Sequence, residues 1–216
     1  MRPDQSEVKT SRNYDSSGRR RGAERRRRAI LDVARRRFLA GGFTATTVAS
    51  VSEEAGVSVD TIYKTFGGKP GLVRAIHDQL LAGDDPVPAE VRSDALQTTE
   101  SDPRAIMRGF GRLSTEVAPR VAPLIRLIRE AAAADPDLAD LWKDLGDRRL
   151  RRMKDNARRL HAAGHLRPDV TVERAGEVMW IYSSPELFWL LVEDLGWDLD
   201  AFGDFVADSL TAALLE

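Results

Sequence analysis

One stretch constrains this chain more than any other: Thr47-Val-Ala-Ser-Val-Ser-Glu-Glu-Ala-Gly-Val-Ser-Val-Asp-Thr-Ile-Tyr-Lys64. Val48, Val51 and Ala55 recur three and four residues apart, the spacing of one helical face. A hydroxyl at Thr46-Thr47 can cap the first free N–H groups of that helix, and Gly56 stops it. Ser58 offers a second cap. Ile62 and Phe66 form a second inner stripe, and Gly67-Gly68 close it. Two helices packed this tightly need apolar contacts inside both, a small residue where they approach, and a turn residue that accepts positive φ. Val51, Ala55, Val57 and Ile62 supply the contacts, Ser52 the small residue, Gly56 the turn. The expected unit is a helix-turn-helix over 47–66.

Its flanks extend the pattern. Ile30, Ala34 and Phe38 recur every four residues beside Leu31, with Arg25–Arg28 and Arg35–Arg37 on either side. That spacing predicts an amphipathic helix over about 24–41, ended by Gly41-Gly42. Lys69-Pro70 opens another to about Leu81, with Pro in the first turn, where it lacks no needed bond. Residues 1–22 are nearly devoid of apolar side chains and are expected to be a disordered basic tail. Residues 23–82 thus form a small head. Residues 83–100, beginning Gly-Asp-Asp-Pro-Val-Pro, read as a linker or loop. Beyond it, over 101–216, the sequence predicts helices at about 102–117, 119–134, 136–163, 172–195 (interrupted at Pro185) and 198–214. No strand-like alternation of useful length occurs, so the expected class is all-α: a three-helix helix-turn-helix head joined to a larger C-terminal helical domain.

Charge divides the chain at the same place. Residues 1–82 hold 16 Lys and Arg against 9 Asp and Glu, whereas 83–216 hold 17 against 25. A basic front suits a polyanion; an acidic back would be repelled by one. The chain has no cysteine, which removes disulfides, thiolate catalysis and cysteine-bound zinc and suits a reducing cytoplasm. Its apolar runs fall far short of the ~20 residues a membrane span needs, and the polar, Arg-rich N-terminus lacks a secretory signal. A cytoplasmic protein with no membrane partner is expected.

Residues Arg28–Leu72 resemble the DNA-binding domain of the tetracycline-repressor (TetR) family. The matching residues are Ala34, Phe38, Gly42-Phe43, Thr46-Thr47, Val51, Ala55-Gly56-Val57-Ser58, Ile62-Tyr63, Phe66, Lys69 and Leu72. Leu166-Arg167-Pro168, Ser184-Pro185-Glu186 and Gly196-Trp197 are similar to the C-terminal domains of many such regulators. The resemblance implies a homodimer that binds a palindromic operator in double-stranded DNA and answers to a small-molecule effector, usually by repression. Thr47, Tyr63 and Lys69 would then hold phosphates. Ser58, Asp60, Thr61 and Lys64 would face base edges, and Arg25 and Arg28 would reach the minor groove or backbone. Thr65 stands where the family often has His, so that contact does not carry over. Asp60 either accepts from a cytosine amino group or serves the helix start.

In the acidic half, Met107, Phe110, Leu124, Ile128, Trp142, Trp180 and Tyr182 are bulky residues on helices able to surround a cavity, and are the candidate ligand pocket. Leu187, Leu190 and Leu191 form one stripe; Phe202, Phe205 and Leu210 form another. Both are candidates for a dimer interface, since the resemblance implies a four-helix contact between subunits. An enzyme is disfavoured: there is no nucleophile elbow and no phosphate-binding Gly loop. No cofactor or metal is expected, although His161 and His165 have helical ligand spacing; Gly164 lies between them at a helix end. The rival reading is a non-specific nucleic-acid binder that uses the basic N-terminal region without ligand control.

Overall fold

Gly56 and Gly67 do what their positions require. Both adopt left-handed backbone, φ 63° and φ 78°, and end helices of eight residues each. In this computed structural model, residues 16–83, 85 and 87–216 are described. Every regular element among them is helical. The head consists of α1 (Ser16–Ala45), α2 (Val48–Ala55), α3 (Val59–Phe66) and α4 (Lys69–Ala82). The body consists of α5 (Ala89–Thr99), α6 (Pro103–Ala132), α7 (Pro136–Ala162), α8 (Val172–Tyr182) and α9 (Pro185–Phe188). A π-helical turn (Trp189–Asp194) and α10 (Leu199–Leu214) complete it.

The head core is the stripe read from sequence. Phe38, Ala34, Val51, Ile62 and Leu72 have no exposed surface, and Phe38 stacks on Phe43 with ring centroids 5.7 Å apart. Full burial of each large apolar side chain contributes roughly 1.5–3 kcal/mol, which is what holds helices this short. Helical geometry in α1 breaks at Gly42, φ 77°, as the Gly pair predicts.

Three expectations need correction. The tail is helical from Ser16, so the basic run Arg19–Arg21 belongs to α1; the remainder of the expected disorder, 1–15, lies outside the described residues. Arg ranks among the better helix formers, so a polar Arg run propagates a helix nucleated by the apolar stripe behind it.

Residues 83–100 are not merely a linker, because α5 occupies most of them. Leu96 lies against Gly109, where a Cβ would collide with it. Asp94 pairs with Arg152 and Arg159, and Gln97 Nε2 donates to Asn156 at 3.0 Å. The prolines that suggested a loop precede the helix, and its stability comes from these contacts.

The two helices expected at 102–117 and 119–134 are one, α6, with Pro119 and Pro123 inside. Each proline removes an intrahelical bond. Val121, Ala122, Leu124, Ile125 and Ile128 continue the buried face past both, and that burial outweighs the loss. At α8–α9 the interruption expected at Pro185 is present. Ser184 caps α9 by accepting from the Leu187 N–H at 3.2 Å.

Candidate nucleic-acid interface and interior cavity

The outer face of the head is built by the caps of α2 and α3. Thr47 Oγ1 accepts from the Ser50 N–H at 3.0 Å, and Ser50 Oγ accepts from the Thr47 N–H at 3.3 Å. Neither bond uses the Thr47 hydroxyl proton, whereas the Thr47 N–H is engaged. Ser58 Oγ accepts from the Thr61 N–H at 3.1 Å and lies 2.8 Å from Thr61 Oγ1. With Ile62 completely buried, α3 must turn Val59, Asp60, Tyr63 and Lys64 outward, and all four are exposed. Arg36 and Arg37 both bind Glu54, at 2.8 and 2.6 Å, tying α1 to α2. Their guanidinium groups hold the Glu54 carboxyl below the usual range.

Each residue expected on DNA is placed as follows. Thr47, Ser58, Asp60, Thr61, Tyr63 and Lys64 are all exposed. Tyr63 is 53% exposed, with its ring edge against Gly68. Asp60 forms an (i, i+4) ion pair with Lys64 at 2.7 Å. The helix start is capped by Ser58, so Asp60 is not needed for that bond. Lys69 is bound inward: Nζ donates to the Phe43 carbonyl at 2.6 Å and lies 4.0 Å from the centre of the Phe43 ring. Desolvation there lowers its pKa. It stands close to the face but serves the head's own structure as well. Arg25 and Arg28 lie exposed on the N-terminal part of α1.

Behind the head is a cavity of about 770 Å³ lined by residues of α4–α10. Four of the seven candidate pocket residues line it: Phe110, Trp142, Trp180 and Tyr182. Met107, Leu124 and Ile128 do not. All three are wholly buried packing residues of α6, on the part of its surface that meets neighbouring helices rather than the cavity.

Two candidate dimer residues are also reassigned. Phe202 and Leu210 are 1% and 3% exposed and line the cavity. Phe202 packs edge-on against Phe188 at 5.6 Å. The reason is the close crossing of α6 and α10 at Gly111 and Gly203, which turns the inner stripe of α10 into protomer core. Phe205 is half-buried between Tyr182 and Trp197. Leu187 and Leu191 are half-buried, whereas Leu190 is 56% exposed. Over α8–α10 and the turns between them, the large apolar side chains left exposed are Ile181, Leu190, Leu195 and Leu199.

Sequence reasoning missed Arg149. It lines the cavity on α7 and donates to the Trp180 carbonyl at 2.7 Å. The signal was present: Trp142, Leu145, Met153 and Ala157 form an apolar stripe, and Arg149 fills the slot between Leu145 and Met153. Also unread were the links between head and body. Arg74 on α4 pairs with Asp144 on α7, and Asp78 with Arg148 at 3.2 Å. Pairs this distant in sequence carry no periodic signature. Among the described residues no helix is long and apolar enough to cross a membrane.

Residues 30–76 match the family model for bacterial regulatory proteins of the tetR family. A probable HTH-type transcriptional regulator, ArpR of Pseudomonas putida, is 28% identical over 84% of this chain and 87% of its own length. Among solved structures, SmeT of Stenotrophomonas maltophilia bound to triclosan superposes with a TM-score of 0.70 at 21% identity. It covers 89% of this chain and 92% of that one. NalD, the secondary repressor of the MexAB-OprM multidrug efflux pump in Pseudomonas aeruginosa, gives a TM-score of 0.63 at 18% identity, covering 91% and 98%. At these identities the two structures speak for the fold. The exposed helix α3 and the matched head identify residues 30–76 as a DNA-binding domain of the tetR family of bacterial regulatory proteins, in a chain similar over most of its length to a probable HTH-type transcriptional regulator.

Proposed function

We propose that this protein is a homodimeric, cytoplasmic repressor that leaves a palindromic operator when a small, largely apolar ligand enters the cavity. One observation carries the reading: α7 presents the cavity wall on one side and the head on another. Trp142, Arg149 and Met153 line the cavity, while Asp144 and Arg148 hold α4 through Arg74 and Asp78. A ligand that shifts α7 therefore acts on α4, whose N-terminus directly follows the recognition helix α3. The proposed mechanism is a population shift between two head spacings, only one of which fits two half-sites a helical turn apart.

The aromatic wall of Phe110, Trp142, Trp180 and Tyr182 suits a mostly apolar ligand. The repressor sense is supported by NalD, described as a repressor of a multidrug efflux pump, and by SmeT, whose structure holds triclosan. Ile181, Leu190, Leu195 and Leu199 support dimerisation, since an apolar surface of this kind calls for a partner. On the head, Tyr63, Thr47 and Lys69 would hold phosphates, with Ser58, Asp60, Thr61 and Lys64 at base edges and Arg25 and Arg28 in the minor groove or on the backbone.

The test begins with DNA selected by the protein from a random-sequence pool. Enrichment of a palindrome, bound by two chains and released by a cavity ligand, is the expected result. Recovery of unrelated sequences, with binding that falls steeply in salt, would instead establish the non-specific reading. Replacing Arg74 or Asp144 should leave operator affinity within a few-fold but blunt ligand-driven release. Unchanged release in both variants would break the proposed route through α4.

A further inference from the structure

The cations around the cavity are not alike. Arg148 contacts Asp78, Arg152 contacts Asp94, and Lys143 contacts Asp147. Arg151 and Arg149, which also line the cavity, have no carboxylate in ion-pair contact among the described residues; Arg151 is solvent-exposed, unlike Arg149. Arg149 Nη1 donates to the Trp180 carbonyl at 2.7 Å and reaches Ser183 Oγ at 3.5 Å. Its guanidinium lies over the Trp180 ring, 4.6 Å from the centre. Burial pulls the guanidinium down to about 10, with Glu186 opposing from beyond contact distance. A guanidinium carries five donors, and the contacts above engage only Nη1. A buried cation without a contacting anion is costly, and that cost is relieved when an anion arrives.

Resting on the reading of this cavity as an effector site, we infer that it selects ligands with a single carboxylate head group on an apolar body, the carboxylate accepting from Arg149. The planar fork of Arg matches a carboxylate in two-point fashion. Glu186 also lines the cavity, so a doubly charged head group such as a phosphate monoester meets about twice the repulsion that a monoanion does. Glu186 Oε2 is itself buried without a hydrogen-bond partner, so a cationic head group is the competing occupant, and decylamine tests it. Phe110, Trp142 and Tyr182 supply the apolar wall for the body of the ligand.

The experiment titrates the full chain calorimetrically at pH 7 with decanoate, decanamide and decylamine, which share a chain and differ in head group. Decanoate should bind about tenfold more tightly than decanamide, the difference between a charge-assisted and a neutral hydrogen bond, with decylamine weakest. Arg149→Gln should erase the decanoate advantage while leaving decanamide binding unchanged, which shows the cavity intact. Arg149→Lys should restore part of it. Decanamide or decylamine binding as tightly as decanoate would overturn the inference, as would an undiminished decanoate preference in Arg149→Gln. Release of selected operator DNA is measured separately. Decanoate that binds preferentially without releasing DNA would support the carboxylate site and refute the effector reading. Failure of all three probes to bind would overturn the inference.

Discussion

Replacing Gly111 by Ala tests how the body is assembled. Gly111 on α6 faces Gly203 on α10 at the crossing that closes one wall of the cavity. A methyl at 111 would overlap the Gly203 carbonyl oxygen and lie 3.1 Å from the Ala207 Cβ and 3.2 Å from the Gly203 carbonyl carbon. Relaxed carbon–carbon contacts are about 3.5–4.0 Å, so the helices must part. What stands in the way is backbone and a β-carbon, neither of which can rotate aside. Overpacking therefore falls near the upper end of its usual range, about 3 kcal/mol. Ala in a helix interior recovers about 1 kcal/mol relative to Gly. The net loss is about 2 kcal/mol, a fall of about 4–8 °C in Tm for a chain of this length. Gly146→Ala is the matched control: it lies inside α7, and its added Cβ has nothing within 4 Å. It should gain about 1 kcal/mol and raise Tm by about 2–4 °C. Both are read by thermal unfolding at one protein concentration. A Gly111→Ala protein as stable as the parent would refute the close crossing and, with it, the reassignment of Phe202 and Leu210 to the protomer interior.

Tyr63→Ala should weaken specific and random DNA alike, by about 1 kcal/mol or more, whereas Lys64→Ala should also blur preference at particular base pairs. Competition binding against scrambled duplexes measures both, and equal losses for Lys64→Ala would remove it from base readout. Leu190→Glu, on the exposed apolar surface, should shift sedimentation toward a monomer and reduce operator affinity while leaving the helical circular dichroism unchanged. A dimer of unaltered strength would place the interface elsewhere. The carboxyl of Asp144 is lowered by the bond from Arg74, and that of Asp78 by His77 and then Arg148. A carboxylate whose folded pKa is depressed stabilises the fold above its unfolded pKa and loses that contribution as pH falls through the folded value. The head–body links should therefore weaken only below about pH 4, the ordinary Asp value. Asp144→Asn should lower Tm modestly at pH 7, flatten the Tm–pH curve in that acid window and converge with the parent below it, and a loss of slope near neutrality instead would contradict the assignment.

What the sequence determined by itself was local and periodic. Caps at Thr47 and Ser58, glycine stops at Gly56 and Gly67, and the stripe Ile30–Ala34–Phe38 fix where the head's helices lie, because each depends on residues within one or two turns. The same logic placed α7, α8 and α10 to within a few residues. It failed where tertiary contacts overrode a local signal. Pro119 and Pro123 suggested a break that the buried face of α6 carries through, and Pro86 and Pro88 suggested a loop where Leu96 and Asp94 hold α5 in place. The cavity was legible only in part. Phe110, Trp142, Trp180 and Tyr182 were found by bulk, but bulk equally describes Met107, Leu124 and Ile128, and only packing tells wall from core. Periodicity shows that a face is buried without showing against what, so the stripe of α10 read as a subunit interface until the Gly111–Gly203 crossing claimed it. Arg149 marks the far end of that range: its charge and its place in an apolar stripe are written in the sequence, but the missing carboxylate beside it is a fact of the tertiary structure.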